Sequence, residues 1–390
     1  MKPRRLVFVV AMCVGLTLLL TSVRIPAADV NEVTGSPPTA ETSRPPSLST
    51  NALSVAPLPT GKTSTAELKS LVIRGKERGA SGDLVTGDGF RLMADYVVDD
   101  TTVDLAKAVT DAAECRGHAF QPVVVFVQTH LLLKFTALWL SLTHKCHIRL
   151  ITHNSDYSSP WEQSNTRWKG GVATTYADQR RDLLGNDDVD VWFAQNAVVV
   201  HPKLHPIPIG IENRYNKYGA HYDMYEASLK SSLSAVRKPG SVFVSFNMKT
   251  NPKERGQAMQ AAKLLAEASP DFVTFYQGAP PKKASPSDYR SALTKMLSEM
   301  SKHQFVLAPH GHGVDTHRMW EALYAGCIPI VMRSPMDVLL ETLPVLIVDD
   351  YSLVTTALLE RSAEQLSGRW DAARKTVLSR RHWMNVVRTP

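Results

Sequence analysis

The sequence is short of several things, and each shortage closes off a class of function. It has 4 cysteines in 390 residues, and none carries the spacing of a zinc or iron–sulfur site, so a metal-stapled or disulfide-dense scaffold is excluded. Aromatic residues make up 7% of the chain and no basic run is interleaved with them, so nucleic acid is not an expected partner. No strand–loop–helix has the spacing of a phosphate-cradling P-loop, which argues against a membrane-anchored sulfotransferase built on that loop. No Asn-x-Ser/Thr sequon with a permitted middle residue occurs, so N-glycosylation offers no independent check on topology.

What is present points to a tethered globular protein. Hydrophobic residues make up 44% and charged residues 21%, ordinary values for a folded chain of two domains. The net charge of +7 suits phosphorylated or sulfated substrates and anionic membrane surfaces. Lys2, Arg4 and Arg5 precede an uncharged apolar run of 18 residues, Leu6 to Val23. That is near the lower limit for crossing a bilayer, and the charge bias places the short N-terminus in the cytosol. The small residues of IPAA at Ile25 to Ala28 leave a cleaved signal peptide as the competing reading. Either reading delivers the bulk of the chain to the secretory lumen. The expected organisation is a cytosolic tip and signal anchor (1–26), a stem rich in Pro, Ser and Thr (27–65) that cannot bury enough apolar surface to fold, a first lobe (66–236) and a second lobe (237–390). The expected location is the Golgi or ER membrane, single-pass type II. Cys13 falls in the anchor and Cys327 in a buried strand; Cys115 and Cys146 either form one disulfide in an oxidising lumen or remain buried thiols.

The first lobe reads as alternating helices and strands. A mixed helical pattern spans 66–79, a helix 101–116, a β-branched strand 122–128, a helix 131–142 and a strand 147–152. In open α/β sheets ligands bind outside the carboxyl ends of strands. Two polar clusters fall there: Gln128, Thr129 and His130, then His153, Asn154, Ser155 and Asp156. Asp156 and His130 are the candidate general bases, with His153 third; the plainer alternative is that Ser155 and Asp156 cap the next segment. The loop 157–171 carries Trp161 and Trp168. Asp187, Asp188 and Asp190 invite a metal-binding DXD reading, but acidic residues before a strand are more often turn chemistry, and no metal site is assigned. Asn196 and Asn213 border an extended proline-rich segment. The second lobe opens with a strand at 241–246 and a helix beginning near Pro252, flanked by Lys249 and Arg255. A strand at 272–277, a helix at 287–300 and a helical tail at 352–387, anchored by Trp370 or Trp383, complete it.

The chain is organised around FVLAPHGHGVDTHRMWEALYAGCIPIVM, Phe305 to Met332. A short apolar strand runs into a loop with Gly311 and Gly313. Asp315 or Thr316 then caps a helix with Met319, Trp320, Leu323 and Tyr324 on one face. Gly326 ends the helix and a second buried strand follows. A glycine loop entering a helix N-terminus is a ready anion site. Arg318 in the first turn can fork onto a diphosphate, and Glu321, one turn on, can accept from a ribose diol; the two can equally form a solvated ion pair.

Pro309, Gly311, Gly313, Thr316, Arg318, Glu321, Ala322, Leu323, Gly326, Cys327, Ile328 and Pro329 match the signature of the exostosin-like glycosyltransferases, which this segment resembles. The later LPVLIVDDY, Leu343 to Tyr351, is similar to the segment that follows in that family. His310 stands where many relatives carry arginine. The resemblance implies a GT-B fold, two Rossmann-like doubly wound α/β lobes facing a central cleft. It implies transfer of sugar from a nucleotide-sugar donor to a glycan or glycoprotein acceptor, with inversion and without a required metal or cofactor. It places Lys249, Arg255, Gly311, Gly313, Thr316 and Arg318 on the donor phosphates and Glu321 on the ribose. The alternative is a non-catalytic partner subunit or glycan-binding protein; a homo- or hetero-oligomer fits either.

Overall fold

The computed structural model describes residues 72–73, 76–115, 122–160, 183–280 and 283–389. The expected anchor and stem, and Trp161 and Trp168, lie outside the described residues. Among the described residues no helix is long and apolar enough to cross a membrane.

Runs of Val, Ile and Phe without polar alternation make strands that must be covered on both faces. Val123–Gln128 (β2, VVVFVQ) and Ile148–His153 (β3) are buried at every position. With Tyr96–Val98 (β1) before them, Val189–Ala194 (β4) and Leu204–Pro206 (β5) after, they form a five-stranded sheet in sequence order, β1-β2-β3-β4-β5. Every pair is parallel, with Val125 between Tyr96 and Leu150. Right-handed crossovers that always step the same way put their helices on one face. Leu105–Ala113 (α2) and Leu132–Ser141 (α3) occupy that face and pack on each other. The other face is closed by the short helix Gly87–Arg91 (α1) and by the C-terminal helix Arg380–Arg388, which returns from the far end of the chain. Trp383, 5% exposed, meets the Phe90 ring at 5.7 Å. Arg149 Nη1 donates to the Val387 carbonyl at 2.8 Å, and Arg388 pairs with Asp95 at 2.8 Å. The first lobe thus has helices on both faces, although its strand order contains no reversal.

The second lobe follows a linker helix, Tyr222–Ser231 (α4). Its strands are Lys238–Val244 (β6), Val273–Phe275 (β7), His303–Leu307 (β8), Ile328–Met332 (β9) and Leu346–Val348 (β10), all parallel in the order β10-β9-β8-β6-β7. The order reverses between β6 and β8, the position at which an open sheet leaves a crevice at its carboxyl edge. Pro252–Ala268 (α5) follows β6, Pro286–Met300 (α6) precedes β8, and His317–Tyr324 (α7) joins β8 to β9. Helices Asp337–Leu340, Thr356–Ser367 and Trp370–Lys375 lead to the C-terminal helix. Two parallel Rossmann-like lobes with a cleft between them are the GT-B arrangement that the resemblance implied.

Two expectations are corrected. The segment expected as a helix over 66–79 contains instead an antiparallel pair, Val72–Ile73 with Lys76–Glu77, where β-branched residues favour the extended state. The helix expected from 101 starts at Leu105, because the Asp104 side chain accepts from Lys107 N and fixes the start there. Val103 consequently lies outside it and is fully exposed.

Cys115 and Cys146 form a disulfide across 31 residues. Cross-linking a loop of that length contributes on the order of 3 kcal/mol by restricting the unfolded chain. The double change Cys115→Ser, Cys146→Ser should lower the denaturation midpoint accordingly in urea titrations, without altering ligand binding in the cleft.

Candidate active site

β3 delivers the polar cluster His153–Asp156 to the cleft. His153 is buried; its Nδ1 accepts from Asn154 N at 2.7 Å, so Nε2 carries the hydrogen and donates to the Pro208 carbonyl at 3.0 Å. Burial pushes this imidazole down to about 4, and with both nitrogens engaged it is a fixed neutral group, not a free base. Asn154 adopts φ 59° and its amide joins Asp88 Oδ1 at 3.2 Å and Asn213 Nδ2 at 2.9 Å. Asp88 is held above the usual carboxylate range by burial.

From the second lobe, the loop between β8 and α7 is tied to both sides of the cleft. Arg255, 8% exposed, donates from Nε to the His310 carbonyl at 2.9 Å, from Nη1 to the Asn247 carbonyl at 2.6 Å and from Nη2 to the Pro309 carbonyl at 3.4 Å. Gly313 presses so closely on Asn196 of the first lobe that a Cβ would lie 2.5 Å from Nδ2; only glycine fits. Asn196 Oδ1 accepts from Asp315 N at 2.9 Å, and the Asp315 carboxylate accepts from Ile209 N at 2.7 Å and Trp320 Nε1 at 2.8 Å. Asp315 is an interlobe tie, and burial pushes its carboxyl up to about 6.

Two cavities meet here. One, about 250 Å³, is lined mainly by the first lobe: His153, Asn154, Ser155, Gln195, Asn213, Tyr215 and Asn216 among others. The second, about 260 Å³, is lined mainly by the second lobe: Phe246, Asn247, Thr250, Arg255, Gly311, Gly313, Thr316 and Arg318 among others. Asp156, Ile209 and His317 line both.

The expected residues are distributed as follows. Arg255, Gly311, Gly313, Thr316 and Arg318 come together around the second cavity. The Thr316 side chain makes no capping bond, so of the first-turn N–H groups of α7 Met319 N donates to the Thr316 carbonyl at 3.1 Å and those of His317 and Arg318 have no side-chain cap. Lys249 is exposed on the turn after β6 and does not line the cavity. Glu321 is 7% exposed and turned inward, pairing with Arg318 at 2.8 Å and accepting from the Tyr225 hydroxyl at 2.9 Å. In this structure it is a partner for Arg318, the ion pair that the spacing also allowed. Arg255 differs: it touches carbonyl dipoles and, among the described residues, no carboxylate, so its charge is uncompensated by direct contact. His310 pairs with Glu254 at 3.1 Å and does not line the cavity. Asp156 stands where expected, its carboxylate 3.3 Å from His312 Nδ1 across the cleft. His130 does not: it lines neither cavity and is held by Asp100 at 2.9 Å, because the 3₁₀ turn Thr129–Leu131 carries it away. Asp188 and Asp190 pair with Lys145 and His147, and no group of metal-ligating side chains occurs among the described residues.

Sequence reasoning missed His317, His312, Gln195 and the interlobe role of Asp315. His317 Nδ1 donates to the Gly210 carbonyl at 2.8 Å, which leaves Nε2 as the lone-pair nitrogen at the junction of the cavities. Gly210 has φ 67° and a Cβ there would lie 2.0 Å from the Val85 carbonyl oxygen. The glycine after a Pro-x-Pro-x run was the legible signal for that turn; its histidine partner lies over 100 residues away and was not.

No protein-family model matches the chain, and no curated protein matches it. Solved structures that are similar include a trehalose 6-phosphate synthase from Burkholderia multivorans, 12% identical over 77% of this chain and 73% of that one, TM-score 0.38. Another is a UDP-forming trehalose-phosphate synthase from Burkholderia xenovorans in complex with glucose-6-phosphate, 12% identical over 77% of each chain, TM-score 0.38. A third, from E. coli and bound with UDP-2-fluoro glucose, is 13% identical over 77% of this chain and 76% of that one, TM-score 0.38. What those proteins bind is theirs; the cleft here is read from its own residues.

Proposed function

We propose that the protein is a membrane-anchored, exostosin-like glycosyltransferase of the secretory pathway that moves a sugar from a nucleotide-sugar to a glycan or glycoprotein acceptor with inversion. One observation carries the reading: two cavities, one from each lobe, meet at Asp156 and His317, and the second holds an arginine, Arg255, that contacts no carboxylate among the described residues. The donor diphosphate takes the second cavity, beside Arg255 and the open N-terminus of α7. The acceptor takes the first. An acceptor hydroxyl gives its proton to a side chain at the junction, its oxygen forms a bond to the anomeric carbon, and the bond from that carbon to the diphosphate oxygen breaks. Positive charge at Arg255 stabilises the departing nucleoside diphosphate. The Cys115–Cys146 disulfide is in keeping with an oxidising compartment,.

The proton acceptor is Asp156 or His317, and their variants separate the two. Asp156→Asn and His317→Gln should each leave donor binding within about threefold, and the one that removes the base should lower kcat by roughly 10²–10⁴-fold. The steady-state rate against pH then identifies it, since only the variant lacking the base loses the acidic limb of the profile.

The test of the whole reading is a screen of UDP- and GDP-sugars for binding and hydrolysis, with and without EDTA. Saturable binding of one donor, weakened in Arg255→Ala and indifferent to EDTA, supports it. The Arg318–Glu321 pairing at 2.8 Å, which leaves one cation already satisfied, favours the second reading, a non-catalytic partner subunit. Absence of binding to every donor by folded protein would establish that one instead.

A further inference from the structure

We infer that His312 is a ligand for the diphosphate in the second cavity, binding it as an imidazolium whose other nitrogen is held by Asp156 of the first lobe. The inference rests on the transferase reading and adds a bound proton to the donor site.

His312 sits at the tip of the loop between β8 and α7. Gly311 N donates to the Gly313 carbonyl at 3.0 Å, which closes a turn beneath it. Both flanks are pinned: a Cβ at Gly311 would lie 2.9 Å from Arg255 Nη2, and Gly313 is pressed on Asn196 of the first lobe. The side chain between them is 27% exposed and lines the second cavity. Its Nδ1 lies 3.3 Å from Asp156 Oδ2. A carboxylate only accepts, so Nδ1 carries a hydrogen. Nε2 has no hydrogen-bond partner among the described residues, and protonation of the ring adds a second N–H there.

The charges around the cavity give that N–H its use. The terminal phosphate of a nucleoside diphosphate carries about −1.5 to −2 near neutral pH. The ionisable groups around His312 in this cavity are Asp156 after β3, Arg255 of α5, and Asp315, His317 and Arg318 at the start of α7. Glu321 already matches Arg318 at 2.8 Å. Asp315 is engaged by Ile209 and Trp320, and His317 spends Nδ1 on the Gly210 carbonyl. Arg255 meets three carbonyls and, among the described residues, no carboxylate. One guanidinium leaves much of a phosphate's charge unmatched. His312 supplies the second cation, because an imidazole gains its charge near neutral pH, and a carboxylate on one side with a phosphate on the other both favour the charged form. A plain surface pair between His312 and Asp156 would give no link between protons and nucleotide binding.

The experiment is isothermal titration of the full chain in detergent micelles with UDP, in buffers of different ionisation heat at about pH 7. Net proton uptake is expected. The terminal phosphate of UDP titrates near about 6, and a positive cavity can only draw protons from it, so the uptake belongs to the protein. His312→Gln and His312→Asn should abolish the uptake. They should weaken UDP roughly tenfold at about pH 6, and by less than about threefold at about pH 9, where an imidazole ordinarily carries no charge. His317→Gln, which removes the other imidazole of the cavity, should keep the uptake. Uridine, which lacks the phosphates, should show none. Absence of uptake in the unmodified protein overturns the inference, as does uptake that persists in the His312 variants, disappears in His317→Gln or occurs with uridine. An equal loss of affinity at both pH values overturns it too. If UDP binds without these effects, the inference alone falls; if UDP does not bind, the transferase reading falls with it. The unmodified protein and His317→Gln test the inference even where a His312 variant fails to fold.

Discussion

Arg255→Ala is expected to weaken nucleotide binding by on the order of 100-fold, about 3 kcal/mol, the scale of a desolvated charge-assisted contact. Two losses combine. The cavity loses a cation that contacts no carboxylate among the described residues, and the carbonyls of Asn247, Pro309 and His310 lose the donor that holds the glycine loop against the end of β6. Arg255→Lys restores the charge but cannot span those carbonyls with one ammonium, so it should recover only part of the affinity. Arg318→Ala should cost less, because Glu321 already neutralises that guanidinium at 2.8 Å, and Lys249→Ala least, because Lys249 lines neither cavity. Isothermal titration with UDP across these variants gives the ranking. A larger loss in Arg318→Ala than in Arg255→Ala would mean that the Arg318–Glu321 pair opens to receive the diphosphate.

Asp315→Asn should change how stability depends on pH. Burial raises the Asp315 carboxyl from 3.8 to about 6. The folded state therefore holds its proton more tightly than the unfolded state. The contribution of this group is full below the unfolded value and is lost as pH rises from about 4 to about 6, an effect of roughly 3 kcal/mol. His153 acts with the opposite sign. Its folded value of about 4 lies below the ordinary 6.5, so its contribution is full above the unfolded value and is lost as pH falls through the same window, by a similar amount. In the unmodified protein the two offset each other. Asp315→Asn should uncover a stability that rises between pH 4 and 6.5, and His153→Gln one that falls, each read from urea midpoints across that range. Asp315→Ala leaves the Ile209 amide and the Trp320 indole N–H unpaired. It should cost roughly 2–5 kcal/mol even at pH 4, where the charge term has vanished.

Local patterns carried most of what the sequence made legible. The continuous apolar runs of β2, β3 and β8 were visible as strands because a parallel strand covered on both faces needs no alternation. Pro252 after the Asn251 cap marked the start of α5, and Gly311, Gly313 and Arg318 marked the loop around the second cavity. What escaped depends on distant partners. Nothing near His130 indicated that Asp100 would take it out of the cleft, and nothing near Glu321 indicated that Tyr225 would reach it across 96 residues. His317 looked like one more polar residue at a helix start until Gly210 fixed its tautomer. The helix expected over 101–116 was too long because Asp104 is a stronger start signal than the apolar period that runs past it.

The return of the C-terminal helix to the first lobe bears on how the chain is made. A ribosome releases the strands of the first lobe long before residues 380–388 exist. Until then Phe90 lacks Trp383 and Arg149 lacks the carbonyl of Val387, 238 residues later. The part of that face beyond α1 must wait uncovered through the synthesis of the whole second lobe, so the usual order in which an N-terminal domain finishes folding first does not apply here. Loss of the last few residues would leave both lobes synthesised and the first one without the Trp383 and Val387 contacts.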